Sequence, residues 1–210
     1  MLKLAIKIAD IFPADLDKII SDLPFGENER TRLLSMRRKE AKELSLCARL
    51  ALLDVSDTRE DLSIKTLDGG KPIFERSPFF FSLSHTSGIA CAATCDTPVG
   101  VDIEWIDPSR KTDAIARRFF SQDEIEAIGN SSDRALAFFS LWTKKEAYAK
   151  LNGKGLASVC SETLPRELIF NQYILEHNGK SAIISVCHHA SEEISILNKY
   201  KEIKIYELQN

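Results

Sequence analysis

What this sequence of 210 residues lacks narrows its class first. No apolar run approaches the length of a membrane span, and Lys3 and Lys7 interrupt the one at the N-terminus, so neither a spanning helix nor a secretory leader is expected. Glycine and proline are sparse, at 9 and 7 residues, and there is no repeat or low-complexity stretch, which excludes a collagen-like or linker-dominated chain. The cysteines, Cys47, Cys91, Cys95, Cys160 and Cys187, form no CxxC framework, and an odd count fits reduced thiols in a cytoplasmic compartment. Cys187-His188-His189 has the residue types of half a zinc site, but no second ligand pair stands at suitable spacing.

What is present is ordinary globular composition, 44% hydrophobic and 28% charged, enough for one large domain or two small ones. The net charge of −3 conceals a basic segment containing Arg30, Arg32, Arg37, Arg38, Lys39, Lys42 and Arg49, a possible anion-binding face or a solvated helix face. Leu2 to Ala9 alternates like a half-buried strand. A short helix is expected over Ala14–Leu23, stopped by Pro24, and one longer helical stretch over about Glu27–Leu53. Asp68-Gly69-Gly70 then predicts a tight turn, which places Lys71 on a firm scaffold.

Four stretches carry chemistry-bearing residues. Ser82-Leu83-Ser84-His85-Thr86-Ser87-Gly88 surrounds a histidine with hydroxyls and a glycine at a strand end, as anion sites often require. In Pro98–Trp105, period two puts Gly100, Asp102 and Glu104 on one strand face. Two like charges there repel, whereas a divalent cation converts the repulsion into coordination, and oxygen-only ligands favour Mg²⁺; a polar outer face of an edge strand is the plain alternative. Ser121 and Glu124 have capping-box spacing ahead of a helix. The run from Asp133 to Leu151 has neither glycine nor proline and reads as a helix, capped by Ser132 or Asp133 and followed by Gly153, with Trp142, Glu146 and Lys150 on one face. Glu167–Leu208 is strand-like, turning at His177-Asn178-Gly179-Lys180.

Taken in order, Gly70-Lys71-Pro72, Ser82-Leu83-Ser84-His85, Gly100-Val101-Asp102-Ile103-Glu104, Phe119-Phe120-Ser121 with Glu124, and Trp142-Thr143-Lys144-Lys145-Glu146-Ala147-Tyr148-Ala149-Lys150 resemble the 4′-phosphopantetheinyl transferase superfamily, most closely its Sfp-type single-chain members. The resemblance implies an α+β fold of two similar α/β halves related by a pseudo-twofold axis, residues 1–98 making coenzyme A contacts and 99–210 holding the metal site and carrier-protein contacts. It implies Mg²⁺-dependent transfer of phosphopantetheine from coenzyme A to a serine of an apo acyl or peptidyl carrier protein, leaving adenosine 3′,5′-bisphosphate. The roles it implies are Asp102, Glu104 and Glu146 on Mg²⁺, and Lys150, His85 and Lys71 on coenzyme A with Ser84 beside them. Lys150 and His85 would neutralise developing charge, and Glu146 could also act as base toward the carrier serine. Which of Arg37, Arg38, Lys42 or Arg49 meets the 3′-phosphate stays open, while Arg110, Lys111, Arg117 and Arg118 are candidates for an acidic carrier. The expected protein is a monomer with no nucleic-acid or membrane partner. The competing reading is a non-catalytic module binding Mg²⁺ and a nucleotide, or an acidic protein.

Overall fold

Strand β1 (Leu2–Ile8) lies inside a sheet, between an antiparallel neighbour and a parallel one, in a computed structural model that describes residues 1–9, 15–56, 62–158, 163–189 and 193–208. Its even-numbered residues enter the core as the alternation requires, but Ala5 on the other face is buried too. An interior strand covered on both faces replaces the half-buried strand expected. The expected helix start at Ala14, and Cys160, lie outside the described residues.

Helix α1 (Leu16–Ser21) is followed by α2 (Glu27–Leu34) and α3 (Lys39–Val55), so the single helical stretch expected from Glu27 is two helices. No glycine or proline breaks it. The end of α2 is closed instead by local bonds: the Ser35 amide donates to the Thr31 carbonyl, the Met36 amide to Leu33, and the Ser35 hydroxyl to Arg32 at 2.7 Å. Lys42 Nζ, one turn into α3, takes the Leu34 carbonyl at 3.0 Å.

The Asp68-Gly69-Gly70 turn joins β2 (Ile64–Thr66) to β3 (Pro72–Phe74), with Gly70 at a φ of 84° that only glycine adopts freely. Then come β4 (Phe80–Thr86), β5 (Ile89–Cys95) and β6 (Val99–Trp105), followed by α4 (Asp113–Phe119) and α5 (Gln122–Asn130), which carries the expected capping box of Ser121 and Glu124. Helix α6 (Arg134–Asn152) is capped by the Asp133 carboxylate, which accepts from the Leu136 amide, and ends at Gly153 in the left-handed region. Strands β7 (Ile169–His177) and β8 (Lys180–His188) form a hairpin through Asn178 and Gly179, both at positive φ, as a two-residue turn needs. The short strands β9 (Ile194–Leu197) and β10 (Lys204–Glu207) complete the order.

Two four-stranded sheets result, ordered β4-β5-β1-β9 and β10-β7-β8-β6. In each, a strand preceding the long helix pairs antiparallel with the second strand of a hairpin following it: β1 with β5, β6 with β8. Leu4, Ile6, Cys91, Val101, Ile103 and Ile184 meet in one apolar core contributed by both sheets, while α3 covers Ala5 and Ala92 of the first sheet and α6 packs on β6 and β8 of the second. β9 comes from the C-terminal stretch yet pairs parallel to β1, so the chain crosses back over the 98/99 boundary. No helix among the described residues is long and apolar enough to cross a membrane.

Candidate active site

Gly100 decides how close α6 comes to β6. A Cβ built on it would lie 1.9 Å from the Ala147 carbonyl oxygen and 2.7 Å from the Leu151 nitrogen, so only glycine admits the helix at this depth. With the helix seated there, its Glu146–Lys150 face lies over the Asp102–Glu104 face of the strand. Lys150 Nζ reaches Asp102 Oδ1 at 2.7 Å, and from β4, at the adjoining edge of the other sheet, Ser84 Oγ donates to the same oxygen at 2.7 Å. Asp102 is 5% exposed, and its Oδ2 is buried without a partner.

The charges across this junction do not balance. Burial, then the Asp102 charge, pushes Glu146 up to about 7, with Lys150 offsetting part and Glu104 adding to it. Glu104 is raised by burial and by Asp102, against Arg110 at 3.6 Å and a long contact from the Thr86 hydroxyl at 3.4 Å. Burial would lower Lys150, but the Asp102 charge and hydrogen bond, with Glu146, hold it above its ordinary value. Three carboxylates therefore share a site with the Lys150 ammonium and, at Glu104 alone, the more distant Arg110 guanidinium. Among the described residues no group of three or more His, Cys, Asp and Glu side chains is gathered tightly enough to hold a metal as it stands. The donor chemistry still fits a hard divalent cation, being oxygen-only with one buried carboxylate oxygen lacking a partner.

Of the expected coenzyme A residues, Ser84 accepts from Lys150 at 2.8 Å and Lys71 shares a cleft with Lys150, while His85 does not line that cleft. His85 is exposed near the end of β4, on the face that Phe81 and Leu83 turn toward the core under α3, and is held below its usual value by desolvation and by the Lys150 and Arg49 charges. Lys71 Nζ donates to the Leu151 carbonyl at 2.8 Å and more distantly to Val99 at 3.5 Å, capping the end of α6, and burial lowers it to about 8. Its turn is docked so closely that a Cβ at Gly69 would meet the Gly153 carbonyl at 2.1 Å. Lys71, Lys150 and Lys154 line a cleft of about 260 Å³ between this turn, β4 and the end of α6.

Of the basic segment, Arg49 is spent on Glu29 at 2.6 Å, Arg32 joins the same carboxylate at 2.8 Å, and Lys42 pairs with Asp17 at 2.9 Å. Arg37 and Arg38, at the start of α3, are exposed and carry no ion pair among the described residues. Sequence reasoning missed a second pair, Lys145 with Glu124 at 2.9 Å, in which the lysine is 1% exposed. Helical spacing puts Lys145 off the Glu146–Lys150 face, but no local signal in the sequence shows that this side meets the α5 cap.

With this geometry in place, sequence comparison is decisive. The pattern of the 4′-phosphopantetheinyl transferase superfamily matches residues 98–202, half of the chain, beginning just before β6 and including α6. The chain belongs to this superfamily. It is 44% identical over 101 residues to the 4′-phosphopantetheinyl transferase psf-1 of Bacillus pumilus, covering 47% of this chain and 42% of that protein. It is 37% identical over 97 residues to the transferase HetI of a Nostoc strain, covering 43% and 41%. To the transferase Sfp of Bacillus subtilis it is 29% identical over 163 residues, covering 66% and 70%. The chain thus matches less than half the length of the first two relatives, and the family match at 98–202 contains Asp102, Glu104, Glu146 and Lys150.

Proposed function

We propose that this chain transfers the 4′-phosphopantetheine group of coenzyme A to a serine of an apo acyl or peptidyl carrier protein. The observation that carries the reading is the convergence of Asp102, Glu146 and Lys150 where β6, α6 and the β4 edge meet, in a chain of this superfamily. The carrier serine oxygen would form a bond to the pantetheine-bearing phosphorus. The bond to the other phosphate of the pyrophosphate breaks, and adenosine 3′,5′-bisphosphate leaves. Asp102, Glu104 and Glu146 would hold Mg²⁺, which supplies charge neutralisation between carboxylates and pyrophosphate. Glu146 would also stand beside the reacting phosphate, where its carboxylate could take the serine proton. Lys150, His85 and the lysines of the cleft would meet the phosphates, with exposed Arg37 and Arg38 better placed for the 3′-phosphate than the occupied Arg49.

The repeated strand pairing supports two α/β halves related by a pseudo-twofold, with the site at their junction near the 98/99 boundary. Arg110, Lys111 and Arg117 line a groove of about 690 Å³ with Ile125, Ile128 and Phe138, which suits an acidic carrier helix. The test is intact-mass analysis of apo carrier proteins of fatty-acid and peptide type, incubated with the protein, coenzyme A and Mg²⁺. One phosphopantetheine should be gained by at least one carrier and none in excess chelator. No gain on any carrier, with coenzyme A still bound, would put the non-catalytic module in its place.

A further inference from the structure

The cleft of about 260 Å³ at the end of α6 has three lysines in its lining and, among the described residues, no carboxylate. The three differ in what holds them. Lys150 is paired with Asp102 at 2.7 Å, and Lys154 is exposed. Half-buried Lys71 has neutral partners among the described residues, the Leu151 and Val99 carbonyls at 2.8 and 3.5 Å. Its stem lies against the helix end, where a Cβ built on Gly153 would meet Lys71 Cδ at 3.3 Å. The ionisable group that would hold its charge is the Cys187 thiol on β8, but burial pushes that thiol up to about 12, so it stays neutral. Burial without a counter-charge brings Lys71 down to about 8. A lysine desolvated beside other cations is a common form of nucleophilic amine. The hydrogen-bond count agrees. An ammonium offers three donors for two carbonyls, whereas the neutral amine meets both and keeps its lone pair for an electrophile.

We propose that Lys71 is a covalent modification site, acylated by a small acyl phosphate that enters this cleft, and that acylation weakens coenzyme A binding. The effect on coenzyme A rests on the transfer reading above; the acylation does not. Lys150 and Lys154 supply charge for the phosphate of such a donor, and the cleft has room for a short acyl group. The neutral Lys71 nitrogen forms a bond to the acyl carbon, the bond from that carbon to the phosphate oxygen breaks, and phosphate leaves with the electron pair while the amine proton passes to it or to water. The resulting amide is uncharged and has one N–H, enough for the Leu151 carbonyl but not for Val99 as well. One of the three cations of the cleft is then gone.

The experiment incubates the full chain with acetyl phosphate and reads initial rates of acetylation by mass spectrometry of its peptides. Near neutral pH, Lys71 should react about tenfold faster than Lys39, whose side chain is 78% exposed. Its rate should level off above a pH of about 8. Excess inorganic phosphate should slow Lys71 and leave Lys39 unchanged. Lys154→Gln should slow Lys71 toward acetyl phosphate but not toward an uncharged acetyl ester, which separates phosphate recognition from plain amine reactivity. Treated wild type should then bind coenzyme A about tenfold more weakly by calorimetry, matching untreated Lys71→Gln, and treatment should change Lys71→Arg no further. Lys71 acetylated no faster than Lys39 would overturn the proposal whatever the carrier assay shows. Equal affinity losses on treating wild type and Lys71→Arg would overturn the link to coenzyme A. A wild type that acetylates Lys71 rapidly but binds no coenzyme A would remove the transfer reading and that link, and leave the acylation site standing.

Discussion

Glu29 and Glu146 are both glutamates taken out of water on helices that pack against other elements, and they end in opposite states. Burial would raise Glu29, but the Arg32 hydrogen bond and the charges of Arg49 and Arg32 hold it below its ordinary value. Glu146 has only Lys150 opposing burial and two carboxylate neighbours, and rises to about 7. Burial therefore does not distinguish a structural carboxylate from a functional one; the distinction lies in whether the fold supplies the compensating charge. The N-terminal half neutralises its buried charge internally. Near α6 the fold leaves negative charge in excess, which is relieved by a proton on Glu146 or by a bound cation.

The largest contrast should come from cutting each carboxylate. Glu29→Ala leaves Arg49, 8% exposed, without its partner, and should cost about 3–5 kcal/mol in urea denaturation. Glu146→Ala in metal-free buffer should cost nothing or stabilise slightly, because it removes repulsion. Next in size is the pH dependence, whose sign differs between the two. Glu146 binds its proton more tightly folded than unfolded, so metal-free stability should fall as pH rises from 4.5 to about 7, by at most about 3 kcal/mol. Glu146→Gln should flatten that fall. Glu29, being lowered, contributes stability that is present above its unfolded value and lost as pH drops through its folded one. Smaller still is Gly100→Ala: its Cβ must displace the Ala147 carbonyl, at roughly 1–3 kcal/mol, and pull Glu146 off the strand. Transfer activity should fall far more than stability in that variant.

Much of the second half was legible in its letters. The period of β6 does place Gly100, Asp102 and Glu104 together, the caps of α5 and α6 sit where side-chain chemistry requires, and Glu146 and Lys150 do share a face. The first half was less legible for definite reasons. The break between α2 and α3 is made by a serine hydroxyl and a distant lysine taking carbonyls, which propensity does not register. Arg49 reads as one basic residue among many, and only the α2–α3 packing turns it toward Glu29. Lys71 was correctly placed after a turn, but its bond to the Leu151 carbonyl, across 80 residues of sequence, has no local signature. The pairing of β9 with β1 is equally invisible, because a four-residue apolar strand does not specify its neighbour.

The central claim is that the surplus negative charge beneath α6 is a cation site. It is tested most directly by thermal denaturation at fixed coenzyme A, with Mg²⁺ or with chelator, for wild type, Glu146→Gln and Glu29→Gln. Ligand linkage predicts that Mg²⁺ raises the wild-type transition, raises that of Glu29→Gln by the same increment from a lower starting point, and moves Glu146→Gln little. A wild-type transition unmoved by Mg²⁺, or one moved equally in Glu146→Gln, would contradict the account.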